Sequence, residues 1–160
     1  MSLALLSLGS NQQPEHYLLA AASALRSRFP GAQFSPVYRT PAVGFEGPDF
    51  LNAAAAIDSD LDPVALNEWL HALEDANGRR RDVPRFSSRT LDVDIVYFDQ
   101  LVFEGPGNLK LPRPELKHAF VLKPLVDIAP EFIDPLQHRD LAELWAASGL
   151  IAPALDPLQI

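Results

Sequence analysis

The order of apolar segments along the chain constrains its fold more than any other feature. Short apolar runs of strand length alternate with segments whose apolar residues recur at helical spacing. The predicted strands cover 3–8, 33–39, 50–57 and 90–98, and the predicted helices cover 14–29 and 63–77. We expect Ser10 or Asn11 to cap the first helix and Pro14 to lie in its first turn. Strand, helix, strand, strand, helix, strand is the order of a split βαβ unit. The sequence therefore predicts an α+β fold with a ferredoxin-like βαββαβ core, an antiparallel or mixed sheet, and both helices packed on one side of it.

The last third of the chain predicts a C-terminal extension of hairpin and helices. The Gly-Pro-Gly-Asn segment at 105–108 is typical of a turn, and apolar arms at 101–103 and 109–111 flank it. A single helical turn at 114–118 and helices at 124–129 and 141–147 are expected to follow. The tail after Gly149 is expected to be loosely held. The length of 160 residues is typical of one domain, so the prediction is a single domain over 1–160.

Composition argues against several classes of function. The net charge is -8 and the pI is about 4.8, whereas a general nucleic-acid binder normally carries a basic footprint. The absence of cysteine excludes disulfides and zinc ligation by sulfur. The sequence has neither an apolar run of membrane-spanning length nor a basic signal-peptide start. We expect a cytoplasmic enzyme or binding protein without nucleic-acid or membrane partners.

Five arginines lie close together in this acidic chain. They are Arg79, Arg80, Arg81, Arg85 and Arg89. Arginine binds phosphate through paired hydrogen bonds and keeps its charge at physiological pH. The cluster indicates a site for an anionic ligand, and the alternative is a solvated loop that happens to be basic.

Two aspartates follow the arginines in a predicted strand. Asp92 and Asp94 are two residues apart, so their side chains point to the same face. Aspartate is a poor strand former, and two neighbouring carboxylates repel each other. A divalent cation would remove that cost, because Mg²⁺ binds oxygen ligands and usually keeps phosphate oxygens as partners. The arginines and aspartates together predict metal-assisted chemistry on a polyphosphate.

Other motifs for phosphate binding or catalysis are absent from the sequence. It contains neither a P-loop nor a Gly-x-Ser-x-Gly elbow, and its four histidines lack metal-ligand spacing. Gly9-Ser10-Asn11 indicates a tight strand-to-helix turn, because the later glycines of a dinucleotide fingerprint are missing.

Several segments resemble a known enzyme family. The most specific is Arg89-Thr90-Leu91-Asp92-Val93-Asp94-Ile95, with Gly78-Arg79-x-Arg81 upstream. Weaker matches occur in the same order at 7–11, 38–41, 50–54, 73–74, 120–125 and 128–131. Together these segments resemble 6-hydroxymethyl-7,8-dihydropterin pyrophosphokinase of the folate pathway. That family transfers diphosphate from ATP to the hydroxymethyl oxygen of a reduced pterin and releases AMP.

The resemblance implies a role for each matching residue on the nucleotide side. Asp92 and Asp94 would hold two Mg²⁺ ions, and Arg79 and Arg89 would be the catalytic residues on the transferring phosphates. The residues implied in ATP binding are Glu74, Arg81, Arg85, Lys110, Arg113 and His118. The loop that carries the arginines is expected to close over the nucleotide.

The resemblance also implies a pterin site. Phe50 and Phe120 would stack on the flat ring, and Asn52 would read its polar edge. The other implied pterin residues are Thr40, Pro41, Val43 and Phe86. From the residues alone, core packing explains Phe50 and Phe120 equally well, and a strand-end hydrogen bond explains Asn52.

The chain departs from the family pattern at three places. Phe86-Ser87-Ser88 replaces Trp-Gly-Pro, the segment 112–120 is one residue shorter, and Phe50 replaces the commoner Tyr. Two alternatives are therefore a divergent paralogue that binds nucleotide or pterin with weak or altered activity, and a non-catalytic scaffold whose arginine loop binds a protein. We expect a monomer or a weak homodimer.

Overall fold

The helices and strands follow the predicted order in the computed structural model, which describes residues 1–42, 45–78 and 90–160. The strands are β1 (Ser2–Ser10), β2 (Gln33–Phe34), β3 (Tyr38–Thr40), β4 (Phe50–Ser59), β5 (Asp92–Phe98), β6 (Phe103–Gly105), β7 (Leu109–Leu111) and β8 (Ala154–Leu155). The helices are α1 (Pro14–Arg28), α2 (Pro63–Ala76), α3 (Ala119–Ile128) and α4 (Leu141–Ser148), with a 3₁₀ turn at Pro114–Lys117.

The main sheet has the topology of a split βαβ unit. Among the described residues six strands form it, in the order β5-β1-β4-β3-β8, and β2 pairs with β4. Each recorded pairing is antiparallel. This topology confirms the predicted α+β, ferredoxin-like fold, and it decides between the antiparallel and mixed alternatives in favour of the antiparallel sheet. Strands β6 and β7 form a separate hairpin.

The two faces of the sheet are covered by different helices. On one face Leu6 and Leu8 of β1 share a core cluster with Leu18 of α1 and Leu70 of α2. On the other face a second cluster includes residues of the sheet, α3 and α4, namely Leu5, Ala54, Val96, Tyr97, Val121, Leu122, Leu125 and Leu141. The first two helices therefore share one side, as predicted, and the C-terminal helices cover the other.

Local capping explains where α2 begins, whereas α1 departs from the prediction. Asp62 precedes α2, and its carboxylate accepts a hydrogen bond from Ala65 N at 2.8 Å, which satisfies an amide of the first turn. The predicted cap of α1 by Ser10 or Asn11 is wrong, because β1 continues to Ser10 and Gln13 occupies the N-cap position. Pro14 does lie in the first turn of α1.

Two other predicted segments differ from the structure. The strand predicted at 33–39 is two short strands, β2 and β3. Ser35 still donates its backbone amide to Ala54 O at 2.9 Å, and the interruption follows at Pro36, which has no amide hydrogen to donate. Helix α3 begins at Ala119 rather than at Pro124, which lies buried inside it. A proline is favoured in the first turn of a helix, and this preference led the sequence analysis to place the start too late.

The C-terminal region is more ordered than predicted. The first arm of the hairpin is Phe103–Gly105 rather than 101–103, and Gly107 and Asn108 turn the chain with positive φ. Strand β8 pairs with β3, and the side chains of Leu158 and Ile160 pack on the core. The prediction of a loosely held tail is therefore wrong. Within the described ranges, none of the helices combines the length and apolarity needed to span a membrane.

Candidate active site

The register of β5 places both aspartates on one face of the sheet. Val93 and Ile95 are each 1 % exposed and point into the core beneath α1 and α2. Because side chains alternate along a strand, Asp92 and Asp94 point to the opposite face, on which α3 packs. Asp94 lies opposite Ser7 of β1, and Asp92 lies opposite Gly9. The predicted common orientation of the two carboxylates agrees with this register.

The electrostatics around Asp94 favour a cation. Burial and the neighbouring Asp92 carboxylate raise the pKa of Asp94 from its ordinary value of 3.8 to about 8, with smaller contributions from Glu74 and Glu115. The guanidinium of Arg113 acts in the opposite direction, and its Nη1 lies 3.7 Å from Asp94 Oδ1. The Asp94 side chain is still 31 % accessible, so a ligand can reach its oxygens.

Two carboxylates on one face are a donor set of the kind that magnesium uses in proteins. In the part of the chain that the structure describes, no group of three or more His, Cys, Asp or Glu side chains is arranged to hold an ion. Mg²⁺ is commonly bound by one or two carboxylates and completes its octahedron with water and substrate phosphates. The raised pKa of Asp94 reflects burial first and the negative charge of Asp92 second, and such an ion would neutralise that charge.

Arg113 is held beside the aspartates by its own neighbours. Its Nε lies 3.4 Å from Glu115 Oε2, and its backbone amide donates to Val96 O at 3.2 Å. The guanidinium therefore lies between Asp94 and Glu115. This position next to the carboxylates is compatible with the predicted contact to ATP, which stays a prediction.

Glu74 has a buried carboxylate that contacts the backbone between the two aspartates. Its side chain is 2 % exposed, and its Oε2 accepts a hydrogen bond from Val93 N at 2.8 Å. Strand β5 is the edge of the main sheet, so Glu74 of α2 satisfies an amide that has no neighbouring strand. The residue predicted to bind nucleotide thus also fixes the strand that carries Asp92 and Asp94.

Asn52 on β4 and Thr40 on β3 form a polar pair on the same face of the sheet as the aspartates. Asn52 is buried, and its Nδ2 donates to Thr40 Oγ1 at 2.8 Å. Gly9 lies between Asp92 and Asn52 in the register of three adjacent strands. Phe50 comes two residues before Asn52 on β4 and is half-buried. The structure therefore leaves only β1 between Asn52 on β4 and Asp92 on β5, and Thr40 on β3 lies one strand further away.

Phe120 and His118 lie at the start of α3. Their rings stack with centroids 5.0 Å apart and planes at 10°, and Phe120 also packs on the core cluster beneath α3 and α4. Phe120 is half-buried between this cluster and the His118 ring, so its packing role is seen and its contact with the pterin stays a prediction. His118 precedes α3 at its N-cap position.

The remaining predicted site residues divide into two groups. Pro41 is exposed at the end of β3, and Lys110 is exposed on β7 with its Nζ 3.6 Å from Glu104 Oε1 across the hairpin. The others lie outside the described residues, and they are Val43, Arg79, Arg81, Arg85, Phe86 and Arg89.

Comparison with known proteins identifies the family. The model of the 7,8-dihydro-6-hydroxymethylpterin-pyrophosphokinase (HPPK) family matches residues 5–130. Two similar relatives are named 2-amino-4-hydroxy-6-hydroxymethyldihydropteridine pyrophosphokinase. The one from Pseudomonas aeruginosa is 40% identical over 146 residues, with 88% of each chain covered. The one from Methylorubrum extorquens is 39% identical over 142 residues, with 83% of this chain and 86% of the relative covered. The chain belongs to the HPPK family.

A solved structure supports the fold. The chain superimposes on Plasmodium falciparum HPPK-DHPS with a TM-score of 0.70 at 13% identity, covering 91% of this chain and 43% of the other. At this identity the match shows the HPPK fold alone.

Three residues around the candidate site have positions that the sequence analysis missed. Gly9 is a strand residue rather than part of a turn, and a Cβ there would lie 3.1 Å from Asn52 Oδ1 and 3.8 Å from Phe50 Cδ1. Asn11 donates from Nδ2 to Pro48 O at 3.1 Å and so holds the end of the loop before β4. Phe45 packs edge-on against Phe50 with centroids 6.4 Å apart. A glycine inside a strand often marks such a close approach, which is the one signal that the sequence offered.

Proposed function

We propose that this chain transfers the β,γ-diphosphate of ATP to the hydroxymethyl oxygen of 6-hydroxymethyl-7,8-dihydropterin. The attacking oxygen forms a bond to the β-phosphorus, the bond from that phosphorus to the α,β-bridging oxygen breaks, and AMP leaves while the hydroxyl proton is released. The observation that carries the proposal is the common placement of Asp92, Asp94, Asn52 and Thr40 on one face of the sheet. The names of the relatives support the same reaction.

The aspartates are proposed to hold two Mg²⁺ ions. When bound, the ions would neutralise negative charge that develops on the phosphate oxygens. Asp92 and Asp94 supply ligand oxygens from a strand whose backbone is fixed by Glu74. Arg113 adds positive charge beside Asp94, and its proposed role is to contact ATP together with Glu74, Lys110 and His118.

The pterin is proposed to bind over Gly9, beside the polar pair of Asn52 and Thr40. Asn52 Nδ2 is fixed by Thr40, so the amide has a defined orientation, and its Oδ1 is proposed to accept a hydrogen bond from the pterin ring. The faces of Phe50 and Phe120 supply the stacking surfaces that a flat heteroaromatic ring requires. Because Gly9 has no side chain, the ring approaches the backbone of β1.

The arginine segment completes the proposal. Arg79 and Arg89 are proposed to stabilise the charge on the transferring diphosphate, and Arg81 and Arg85 to hold ATP, because guanidinium groups bind phosphate oxygens in pairs. Pro41, Val43 and Phe86 are proposed to close the pterin site. We further propose that residues 1–160 act as one domain in the cytoplasm, as a monomer or weak homodimer, and supply the folate pathway. The pairing of β8 with β3 supports one folding unit.

The experiment that tests the function measures AMP release from ATP in four mixtures. The complete mixture contains Mg²⁺ and 6-hydroxymethyl-7,8-dihydropterin, two others omit the pterin or the metal, and the fourth contains 6-methyl-7,8-dihydropterin. The methyl analogue keeps the ring but has no oxygen to attack. We expect AMP only in the complete mixture. Equal AMP release without the pterin or with the methyl analogue would show that diphosphate transfer to this hydroxyl is wrong.

A further inference from the structure

A buried tyrosine connects the two parts of the proposed pterin site. Tyr38 of β3 is 4 % exposed, and its hydroxyl donates a hydrogen bond to Asp127 Oδ2 of α3. The other carboxylate oxygen of Asp127 accepts from Lys123 Nζ at 2.7 Å, so the charge of the carboxylate is balanced. We call the contact between Tyr38 and Asp127 the β3–α3 clamp.

Each residue of the clamp lies on the same element as a proposed pterin residue and on the same side of that element. Tyr38 lies directly opposite Asn52 in the β3–β4 ladder, and it precedes Thr40 by two residues on the same strand face. Asp127 follows Phe120 by seven residues in α3, which is about two helical turns and places both on one side of the helix. The clamp therefore joins the strand that carries Thr40 to the helix that begins with Phe120.

The side chains of β4 beneath α3 are small, so the position of the helix on the sheet depends on this hydrogen bond. Strand β4 presents Ala54 and Ala56 to the second core cluster. Small side chains provide little interlocking with a helix, and apolar contact is non-directional. A hydrogen bond to a charged group is directional and stronger than a neutral one. It can therefore set where α3 lies along the sheet, which the alanines alone do not.

The chemistry of the pair keeps the clamp formed at neutral pH. Burial, the hydrogen bond to Asp127 and the charge of that carboxylate all raise the pKa of Tyr38 above its ordinary value. The hydroxyl consequently stays a donor across the physiological range.

We propose that Tyr38 and Asp127 are positioning residues that set the separation between the Asn52–Thr40 pair and Phe120, and through it the affinity for the pterin. This inference rests on the proposed function, because it assigns pterin contacts to Asn52 and Phe120. We expect the clamp to affect pterin binding more than ATP binding, since most of the proposed ATP contacts lie at the aspartate and arginine side and His118 alone of them is the N-cap of α3.

The chain offers a matched control for testing the clamp. Tyr97 is 1 % exposed, and its hydroxyl donates to the buried carboxylate of Asp134. This second pair has the same chemistry but joins β5 to the segment before α4. Tyr97→Phe and Tyr38→Phe each remove one such hydrogen bond, so both variants should lower the melting temperature, while only Tyr38→Phe should weaken pterin binding.

The test measures steady-state AMP release and the binding of a non-hydrolysable ATP analogue with Mg²⁺. For Tyr38→Phe we expect the KM for the pterin to rise roughly tenfold, which corresponds to the loss of about 1.4 kcal/mol, with a much smaller change in the Kd of the ATP analogue. Asp127→Ala should give a similar rise, and the double variant should rise no further, because both substitutions break one contact. Asp127→Asn keeps an acceptor for the tyrosine hydroxyl and should recover part of the affinity.

The outcomes separate this inference from the proposed function. Suppose that the wild-type protein is active. If Tyr38→Phe had the same KM for the pterin as wild type, or if Tyr97→Phe raised this KM equally, the clamp proposal would be wrong and the proposed function would stand. If the wild-type protein released no AMP and calorimetry detected no binding of 6-hydroxymethylpterin, the function and the clamp would both be wrong. If Tyr38→Phe did not fold, Asp127→Asn and Asp127→Ala would decide the question through the same two measurements.

Discussion

The two faces of the main sheet are built from the same strands but differ in side-chain polarity. Toward α1 and α2, the alternate residues Leu8 and Val93 are buried in a continuous apolar core. Toward α3, the neighbouring positions Gly9, Asp92 and Asp94 lack apolar side chains, and Asp94 remains partly accessible. Because side chains on a strand alternate, packing on the first face fixes the register, and the register places the polar residues on the second.

Within a single strand, alternate residues therefore have different roles: those on one face stabilise the fold, and those on the other are available for chemistry. A shift of one residue in β5 would turn Val93 outward and both aspartates into the core, which the apolar face forbids. The carboxylates thus stay close together despite their repulsion, and the cost is met by packing elsewhere. Substitutions on the two faces should therefore have opposite signatures in activity and in stability.

The largest expected effect is on the polar face. Asp92→Asn and Asp94→Asn should each lower kcat/KM on the order of 10³-fold, since a lost metal ligand removes several kcal/mol of transition-state stabilisation and each 1.36 kcal/mol is a factor of ten. Both variants should remain folded and melt no lower than the wild-type protein in metal-free buffer. Asp99→Asn is the control, because Asp99 lies just beyond β5 and accepts a hydrogen bond from Leu3 N at 2.9 Å. Near-native turnover in either test variant would refute the metal assignment.

The apolar face should show the reverse. Leu8 is fully buried in the core cluster beneath α1 and α2, and Leu8→Ala should lower the free energy of unfolding by about 2–5 kcal/mol. Turnover at temperatures where the variant stays folded should change little, because the Leu8 side chain points away from Asp92 and Asn52. Urea denaturation and the AMP assay measure the two quantities on one sample. A variant of native stability with lost activity would contradict the division between the faces.

The carboxylates of the polar face should make the stability of the protein depend on pH. Since burial and Asp92 raise the pKa of Asp94 from 3.8 to about 8, the native metal-free protein holds a proton that the unfolded chain has released. The contribution of this group to stability is therefore lost as the pH rises from about 4 to about 8. We expect the melting temperature of wild type, relative to Asp94→Asn, to fall across this window. Mg²⁺ should reduce the fall, because it favours the ionised carboxylate, and identical pH profiles for the two proteins would contradict the assignment.

Much of this arrangement could be predicted from sequence because it depends on local periodicity. The period of two in β5 gives the common face of Asp92 and Asp94, and the order of strands and helices gives the fold. The contact of Glu74 with Val93 N could not be predicted, since it depends on how α2 crosses the edge of the sheet. The strand position of Gly9 was missed for a similar reason, because only the pairing with β4 shows what fills the space above it.

The order of the C-terminal tail was also missed, although its residues carried a signal. Leu158 and Ile160 are apolar residues near the chain end, and both pack on the core. Terminal position alone argued for a loose tail, whereas burial and the hydrogen bond from Arg26 Nη2 to Ile160 O at 2.7 Å hold it. Tertiary contacts between segments that are distant in sequence account for each of these misses.

The smallest expected effect concerns Glu74. Its carboxylate accepts a hydrogen bond from the backbone amide of Val93, which lies between Asp92 and Asp94 on β5. Glu74→Ala leaves the amide of Val93 without its carboxylate partner and should lower the free energy of unfolding by about 1–3 kcal/mol. Glu74→Gln keeps an acceptor and should cost less. Because the Glu74 charge also helps to raise the pKa of Asp94, both variants should flatten the pH dependence of stability in metal-free buffer. Urea denaturation at two pH values tests both points. If Gln and Ala lowered stability equally, the hydrogen bond to Val93 would not be what holds this edge strand, and the register of the aspartates would have to rest on core packing alone.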